Sequence, residues 1–329
     1  MKQKKTKEQY LTKTIVVCLI ATICCTLWGS AFPAIKLGYK YFEIGANDSA
    51  TQILFAGCRF TLAGILTVLF GSIMNRKVLI PKKQSYSKIF ILCLFQTVLQ
   101  YIFFYIGLAN TSGVKSAIIN GSNVFMSIII ACVFFRQEKL TWKKMIGCIL
   151  GFAGVVVINL TKGGIDMHMT FTGEGFILIC TIAYGLSSVI MKKYSKHENP
   201  VVLSGYQFFA GGIILVILGL LSGGKLTVIT GKGVAMLIYL AMLSAVAYSL
   251  WGIILKYNPV SKVAIYGFVN PISGVILSSL FLHEKGQSFG IKGVVALVLV
   301  CIGIFVVNYQ GNGLDVKLKA KGYKEELTD

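Results

Sequence analysis

The sequence predicts an all-α integral membrane protein: ten transmembrane helices forming two five-helix repeats that insert with opposite, inverted topology. Three observations carry that expectation. Apolar residues come in blocks of roughly twenty, long enough to cross a ~30 Å hydrocarbon core at 1.5 Å rise per residue. Basic residues gather in alternate segments between those blocks. Residue patterns in the first half return in the second, 147 residues on.

Composition excludes most other classes. The 329-residue chain is 55% hydrophobic and 13% charged, with mean hydropathy +0.75, whereas ordinary globular chains carry about 25% charged residues. No period-2 alternation persists, which argues against a membrane β-barrel. A net charge of +20 would suggest nucleic acid in a soluble protein. Here the charges lie between apolar blocks and at both ends, so the expected partner is the lipid bilayer with its anionic headgroups, and no nucleic acid. No basic stretch carries the stacking aromatics of a single-strand binder. All 9 cysteines fall inside apolar blocks without a CxxC pair or Cys/His cluster. They read as reduced, small apolar side chains, with no disulfide framework, metal site or cofactor.

The helices follow in order. Helix 1 is expected at 14–37: the run is too long for a signal peptide and lacks a small-x-small cleavage site, so it should stay in place. Pro33 removes a backbone donor and should kink it. Helix 2, at 50–74, carries Arg59 close to mid-membrane. Helix 3, at 88–109, carries Gln96, Gln100 and Tyr101, and helix 4, at 113–135, carries Asn120 and Asn123. Helix 5, at 142–160, presents Gly147, Gly151 and Gly154 for close packing, expected against Gly293 and Gly303 of helix 10, with a homodimer seam as the alternative. Helix 6 (173–192) carries Tyr184, helix 7 (201–221) Gln207, and helix 8 (233–256) Tyr248 and Trp251. Helix 9 (260–282) holds Asn270 and a kinking Pro271, and helix 10 (288–309) completes the set. The connections leave no room for a soluble domain.

Positive residues set the orientation. With the N-terminus in the cytoplasm, the inside segments hold clusters at 2–13, 76–88, 136–144, 192–196, 256–262 and 317–324, 23 basic residues against six outside. The six are Lys40, Lys162, Lys225, Lys232, Lys285 and Lys292. Both termini are therefore expected in the cytoplasm of a multi-pass plasma-membrane protein. Residues 1–13 form a basic N-terminal tail, 14–160 and 161–309 the two repeats, and 310–329 a C-terminal tail.

The repeat is visible residue by residue. Tyr101 corresponds to Tyr248, Lys115 to Lys262, Asn123 to Asn270, and Ala63-Gly64 to Ala210-Gly211, all at an offset of 147. One residue less maps Phe135-x-x-Glu138 onto Phe281-x-x-Glu284 and Gly147 onto Gly293. Trp28-Gly29, with Lys36 following, matches Tyr184-Gly185 with Lys192. Five helices per half is an odd number, so the halves insert in opposite senses, an arrangement that places a binding site near mid-membrane where they meet.

These residues also resemble a known family. Trp28 to Lys36 is similar to the first-helix signature of the EamA family in the drug/metabolite transporter superfamily. Arg59-Phe60 followed by Ala63-Gly64 resembles its second-helix motif. Asn123 to Glu138, then Leu140-Thr141 and Gly147, resembles the end of its repeat, where a proline often stands at the place of Val124; the second half keeps it as Pro271. The resemblance covers about 14–309 and implies a ten-helix exporter or exchanger of amino acids, metabolites or drugs that works by alternating access.

Charged or polar groups at mid-membrane depth are costly, about 2.5–3.5 kcal/mol for an arginine on insertion scales, and mark a wet cavity or interhelical bonds. Arg59 is the first candidate for contact with an anionic group of the solute, bonding to helix carbonyls being the structural alternative. The rest of the candidate cavity comprises Trp28, Gln96, Gln100, Tyr101, Asn120, Asn123, Tyr184, Gln207, Tyr248, Trp251 and Asn270. Interhelical bonding is the alternative for each. Lys115 and Lys262 read as snorkelling anchors. All 12 acidic residues fall in loops, tails or at helix ends, which weighs against a cation exporter that alternates proton and cargo on a buried carboxylate. The three histidines lie in loops, and no His/Asp/Glu set suggests an enzyme. The expected function is therefore secondary transport, by efflux or exchange, of an amino acid or related neutral or anionic solute. A drug or cation exporter, or a membrane enzyme or scaffold, are the alternatives.

Overall fold

The computed structural model describes residues 9–45, 47–110, 119–159, 169–282 and 291–309, which contain helices and no strand. In chain order they are α1 (Thr14–Tyr41), α2 (Ser49–Met74), α3 (83–109), α4 (Ile119–Phe134), α5 (Trp142–Asn159), α6 (Phe171–Ser195), α7 (Pro200–Leu221), α8 (Gly231–Tyr257), α9 (260–282) and α10 (Ile291–Asn308). Six of them, α1, α2, α3, α6, α7 and α8, are long and apolar enough to cross a membrane. The chain is an all-α, multi-pass membrane protein. Lys115, Glu284, Lys285 and the loop histidines His168 and His283 lie outside the described residues.

Local chemistry explains where helices start and bend. Asp48 caps α2 by accepting the N–H of Thr51, and Asn199 caps α7 ahead of Pro200, a residue suited to a first helical turn. Thr230 caps α8 by accepting the N–H of Gly233. α1 runs unbroken through Pro33 and reaches Tyr41, one turn beyond the expected end. α3 contains a π-helical turn at Leu94–Leu99, and α4 ends in another at Ile130–Phe134 after an interruption at Ser122. α9 tightens to a 3-10 turn at Ile265–Phe268 just before Asn270 and Pro271. Proline supplies no N–H and crowds the carbonyl four residues back, so irregular winding is expected there.

Close helix contacts are made by glycines. A Cβ on Gly57 would fall 2.5 Å from the Val216 nitrogen, on Gly64 2.4 Å from that of Phe209, and on Gly212 2.2 Å from that of Thr61. Gly219 meets Leu54 in the same way. Rising numbers on α2 meet falling numbers on α7, so the two helices pack antiparallel. α5 and α10 do likewise: Gly147 and Gly303 lie against each other's carbonyls, and Gly154 lies against Ala296. The small-residue face of α5 is thus filled within the chain, by α10 and by Phe268 of α9 against Gly151.

The halves interlock. α1 packs on α8 and α9, where Gly29 touches Ser273, and the thiols of Cys24 and Cys25 donate to the carbonyls of Ala247 and Tyr266 at 3.4 and 3.2 Å. α6 packs on α3 and α4, where Gly107 meets Ile177 and Gly185 meets Met126 and Ser127. The first helix of each half therefore lies on the third and fourth helices of the other.

Candidate functional site

Helical spacing aligns the side chains of the central cluster. Ser244, Tyr248 and Trp251 lie four and three residues apart on one face of α8, and Tyr101 and Tyr105 lie four apart on α3. α2 adds Arg59 and Phe60, α1 adds Trp28 and Tyr39, and α7 adds Phe208.

Arg59 is buried, with 3% of its surface exposed. Its Nε and Nη2 both donate to the Ser244 hydroxyl, at 3.1 and 2.9 Å, and that hydroxyl donates to the Leu240 carbonyl at 2.9 Å. The guanidinium carbon lies 5.0 Å from the Phe60 ring centre, a cation–π distance. Among the described residues no Asp or Glu pairs with it. A single hydroxyl is a small counterpart for a group with five N–H donors. The rings of Tyr39, Tyr101, Tyr105 and Tyr248 pack with Phe60 in one cluster beside it.

Around that charge the aromatic rings interlock. The Tyr101 and Tyr248 hydroxyls meet at 3.1 Å. Trp28 stands edge-on to Tyr248 at 4.9 Å and to Trp251 at 5.0 Å between ring centres. Phe208 lies 5.2 Å from Phe60 and 4.8 Å from Tyr248. Several buried polar atoms have no hydrogen-bond partner: the indole nitrogens of Trp28 and Trp251, Oε1 of Gln100 and Oδ1 of Asn270. Native interiors seldom leave such groups unmatched, and donors and acceptors of this kind are what a bound solute engages.

The structure brings together Trp28, Arg59, Gln100, Tyr101, Tyr248 and Trp251, with Tyr184 of α6 beside the two central tyrosines. Gln96 and Gln207 do something else. Gln207 donates to Gln96 at 3.1 Å and accepts from Thr97 at 2.7 Å, so their amides bind α3 to α7. Asn120 and Asn123 sit half-buried on either side of the break in α4, and Asn123 faces Gly267 in the 3-10 turn of α9. Sequence reasoning missed Ser244, Phe60, Phe208, Tyr39 and Tyr105. Ser244 and Tyr105 were detectable as the residues one helical turn from Tyr248 and Tyr101; Tyr39 lay past the expected end of helix 1.

A multi-pass helical protein with a buried cation in an aromatic cage, built by helices of both halves, falls in the class of membrane transport proteins. Residues 14–160 and 171–309 match the EamA-like transporter family, and the chain belongs to that family. It is similar, at 25% identity over 88% of this chain and 97% of the relative, to an uncharacterized transporter of Archaeoglobus fulgidus. The uncharacterized transporter YvbV of Bacillus subtilis is 27% identical over 91% of this chain and 93% of its own length. A solved crystal structure shares the fold with a TM-score of 0.73 at 16% identity, covering 89% of this chain and 96% of that one. The chain is accordingly a transporter for a small solute, built on the fold of this family.

Proposed function

We propose that the chain moves a small neutral or anionic metabolite, an amino acid or a close relative, out of the cell or in exchange by alternating access. In this reading, residues 14–160 and 161–309 are inverted repeats of five membrane crossings each, and α4, α5, α9 and α10 complete the ten. Both termini, 1–13 and 310–329, are cytoplasmic. The antiparallel packing of equivalent helices α2 with α7 and α5 with α10 supports this reading. So does the meeting of Tyr101 with Tyr248, equivalent residues that come together only near an axis relating the halves. Breaks at Ser122 of α4 and at 265–268 of α9 are the paired helix interruptions that accompany mid-membrane sites.

The observation that carries the substrate class is Arg59, a buried guanidinium held by one hydroxyl among rings. An anionic group would supply the acceptors it lacks, and the indole N–H groups add neutral donors. The cation-exporter alternative needs a carboxylate in the cage. The buried Glu138 and Glu174 lie near helix ends, Glu138 on Lys144 and Glu174 on Thr170. The test compares metabolites released by cells overproducing the wild-type chain, cells overproducing Arg59→Gln and cells lacking the protein. Release of an acidic or zwitterionic solute that depends on Arg59 is expected. Release confined to organic cations would overturn the proposed substrate class.

A further inference from the structure

At the end of the bundle that carries the N-terminus, one acidic residue joins the two halves. Glu138 follows α4, and its side chain is only 7% exposed. One side of the carboxylate accepts from Lys144 Nζ at 2.9 Å; that ammonium is equally buried and also donates to the Lys139 carbonyl at 2.7 Å. The carboxylate also accepts from the first turn of α9, from the Ser261 N–H at 3.3 Å and from the Ser261 hydroxyl in a short contact. The neighbouring groups extend the seal. Lys192, at the end of α6, donates to the Leu255 and Asn258 carbonyls, and Asn258 donates to Leu11 at 3.0 Å. Lys262 donates to the Thr12 carbonyl at 2.9 Å.

We propose that Glu138, held between Lys144 and Ser261, is the latch that keeps this mouth of the transporter closed. The inference rests on the alternating-access reading, which requires the halves to part at one end at a time. A buried ion pair is a poor device for stability alone, because desolvation offsets most of its Coulomb gain, and it is strongly sensitive to loss of one partner. Those properties suit a contact that has two states. The sequence makes the device one-sided. Glu284 is the repeat counterpart of Glu138, but Gly290 stands where Lys144 would be and Val114 where Ser261 would be. By sequence the equivalent positions do not repeat this residue set, and the latch biases the resting protein toward closure at the N-terminal end.

Cys132 is a native reporter. It lies beneath the latch, its sulfur 3.9 Å from Lys144 Nζ, and is 9% exposed, while Cys25 is fully buried elsewhere. The full chain in inside-out vesicles is treated with a membrane-impermeant maleimide, and labelling of each cysteine is read by peptide mass spectrometry. Glu138→Gln should speed Cys132 labelling on the order of tenfold, with Cys25 still protected. Ser261→Ala, which removes one hydroxyl, should give a smaller increase in the same direction. If Glu138→Gln exposes Cys25 as well, the fold has failed and Ser261→Ala decides. Unchanged Cys132 labelling with Cys25 protected would overturn the latch. If Cys132 stays protected while Arg59→Gln still abolishes solute release, the latch fails alone. If Cys132 opens while Arg59→Gln changes nothing, the substrate reading fails alone.

Discussion

Arg59 shows how a costly residue is kept in a membrane core. Its charge is spread over a planar group, faces the Phe60 ring and is anchored on Ser244, whose hydroxyl is itself oriented by the Leu240 carbonyl. Ser244→Ala should leave two N–H groups without an acceptor and lower stability by about 1–3 kcal/mol, read as a fall in melting temperature in detergent. Arg59→Lys keeps the charge but loses the fork. It should cut transport by about tenfold or more, equivalent to ~1.4 kcal/mol, while the protein still folds. Wild-type transport in Arg59→Lys would assign the guanidinium to scaffolding. Arg59 was legible in the sequence because an arginine amid apolar residues has few explanations. Its partner was not, since a serine in a membrane helix usually bonds to its own backbone, as Ser244 also does.

At the scale of elements, packing depends on the absence of side chains as much as on their presence. Gly212→Ala would place a methyl 2.2 Å from the Thr61 nitrogen, and α2 and α7 would have to separate. Overpacking of that kind costs about 1–3 kcal/mol, whereas Gly231→Ala, with nothing within 4 Å, should be neutral. Comparing their melting temperatures in detergent checks both. A second contact between elements responds to pH. Glu198, in the α6–α7 connection, accepts from Lys88 of α3 at 2.9 Å, and that lysine holds its carboxyl below the usual range. With the folded value lowered, the contribution is fully present above the ordinary value of about 4.3 and fades as pH falls through the lowered one. The pair is partly exposed, so the effect is about 0–1 kcal/mol, and Lys88→Met should remove this part of the acid sensitivity of the melting temperature. Helix positions were readable from apolar block length, but winding was not. Gln96 and Gln100 stand four residues apart in α3, the spacing of one face in a regular α-helix. The π turn at Leu94–Leu99 breaks that alignment, sending Gln96 to Gln207 and leaving Gln100 by Tyr248. Glu138 falls in a connection by sequence, and its burial is not legible there because it comes from α9, more than 120 residues away.

For the whole molecule, the proposed inverted repeat would decide which surfaces face which side of the membrane, and it makes an exposed prediction. In that reading the α2–α3 connection and the α7–α8 connection are equivalent segments, one holding Lys77 and the other Lys225. In a parallel repeat they would lie on the same side. In an inverted one they lie on opposite sides, and the proposed orientation, with both termini cytoplasmic, puts Lys77 inside and Lys225 outside. The antiparallel contact of α2 with α7 requires the C-terminal ends of these helices to point in opposite directions, which carries the two connections apart. Lys77→Cys should therefore react with an impermeant maleimide only in inside-out vesicles, and Lys225→Cys only in intact cells. The native cysteines provide an internal background, since six of the nine are buried, all nine lie within helices and none lies in either connection. Labelling of both introduced thiols from one side would overturn the inverted repeat and with it the alternating-access reading. Opposite labelling with Lys225 inside would keep the repeat and reverse the orientation, placing the Glu138 latch at the outer mouth.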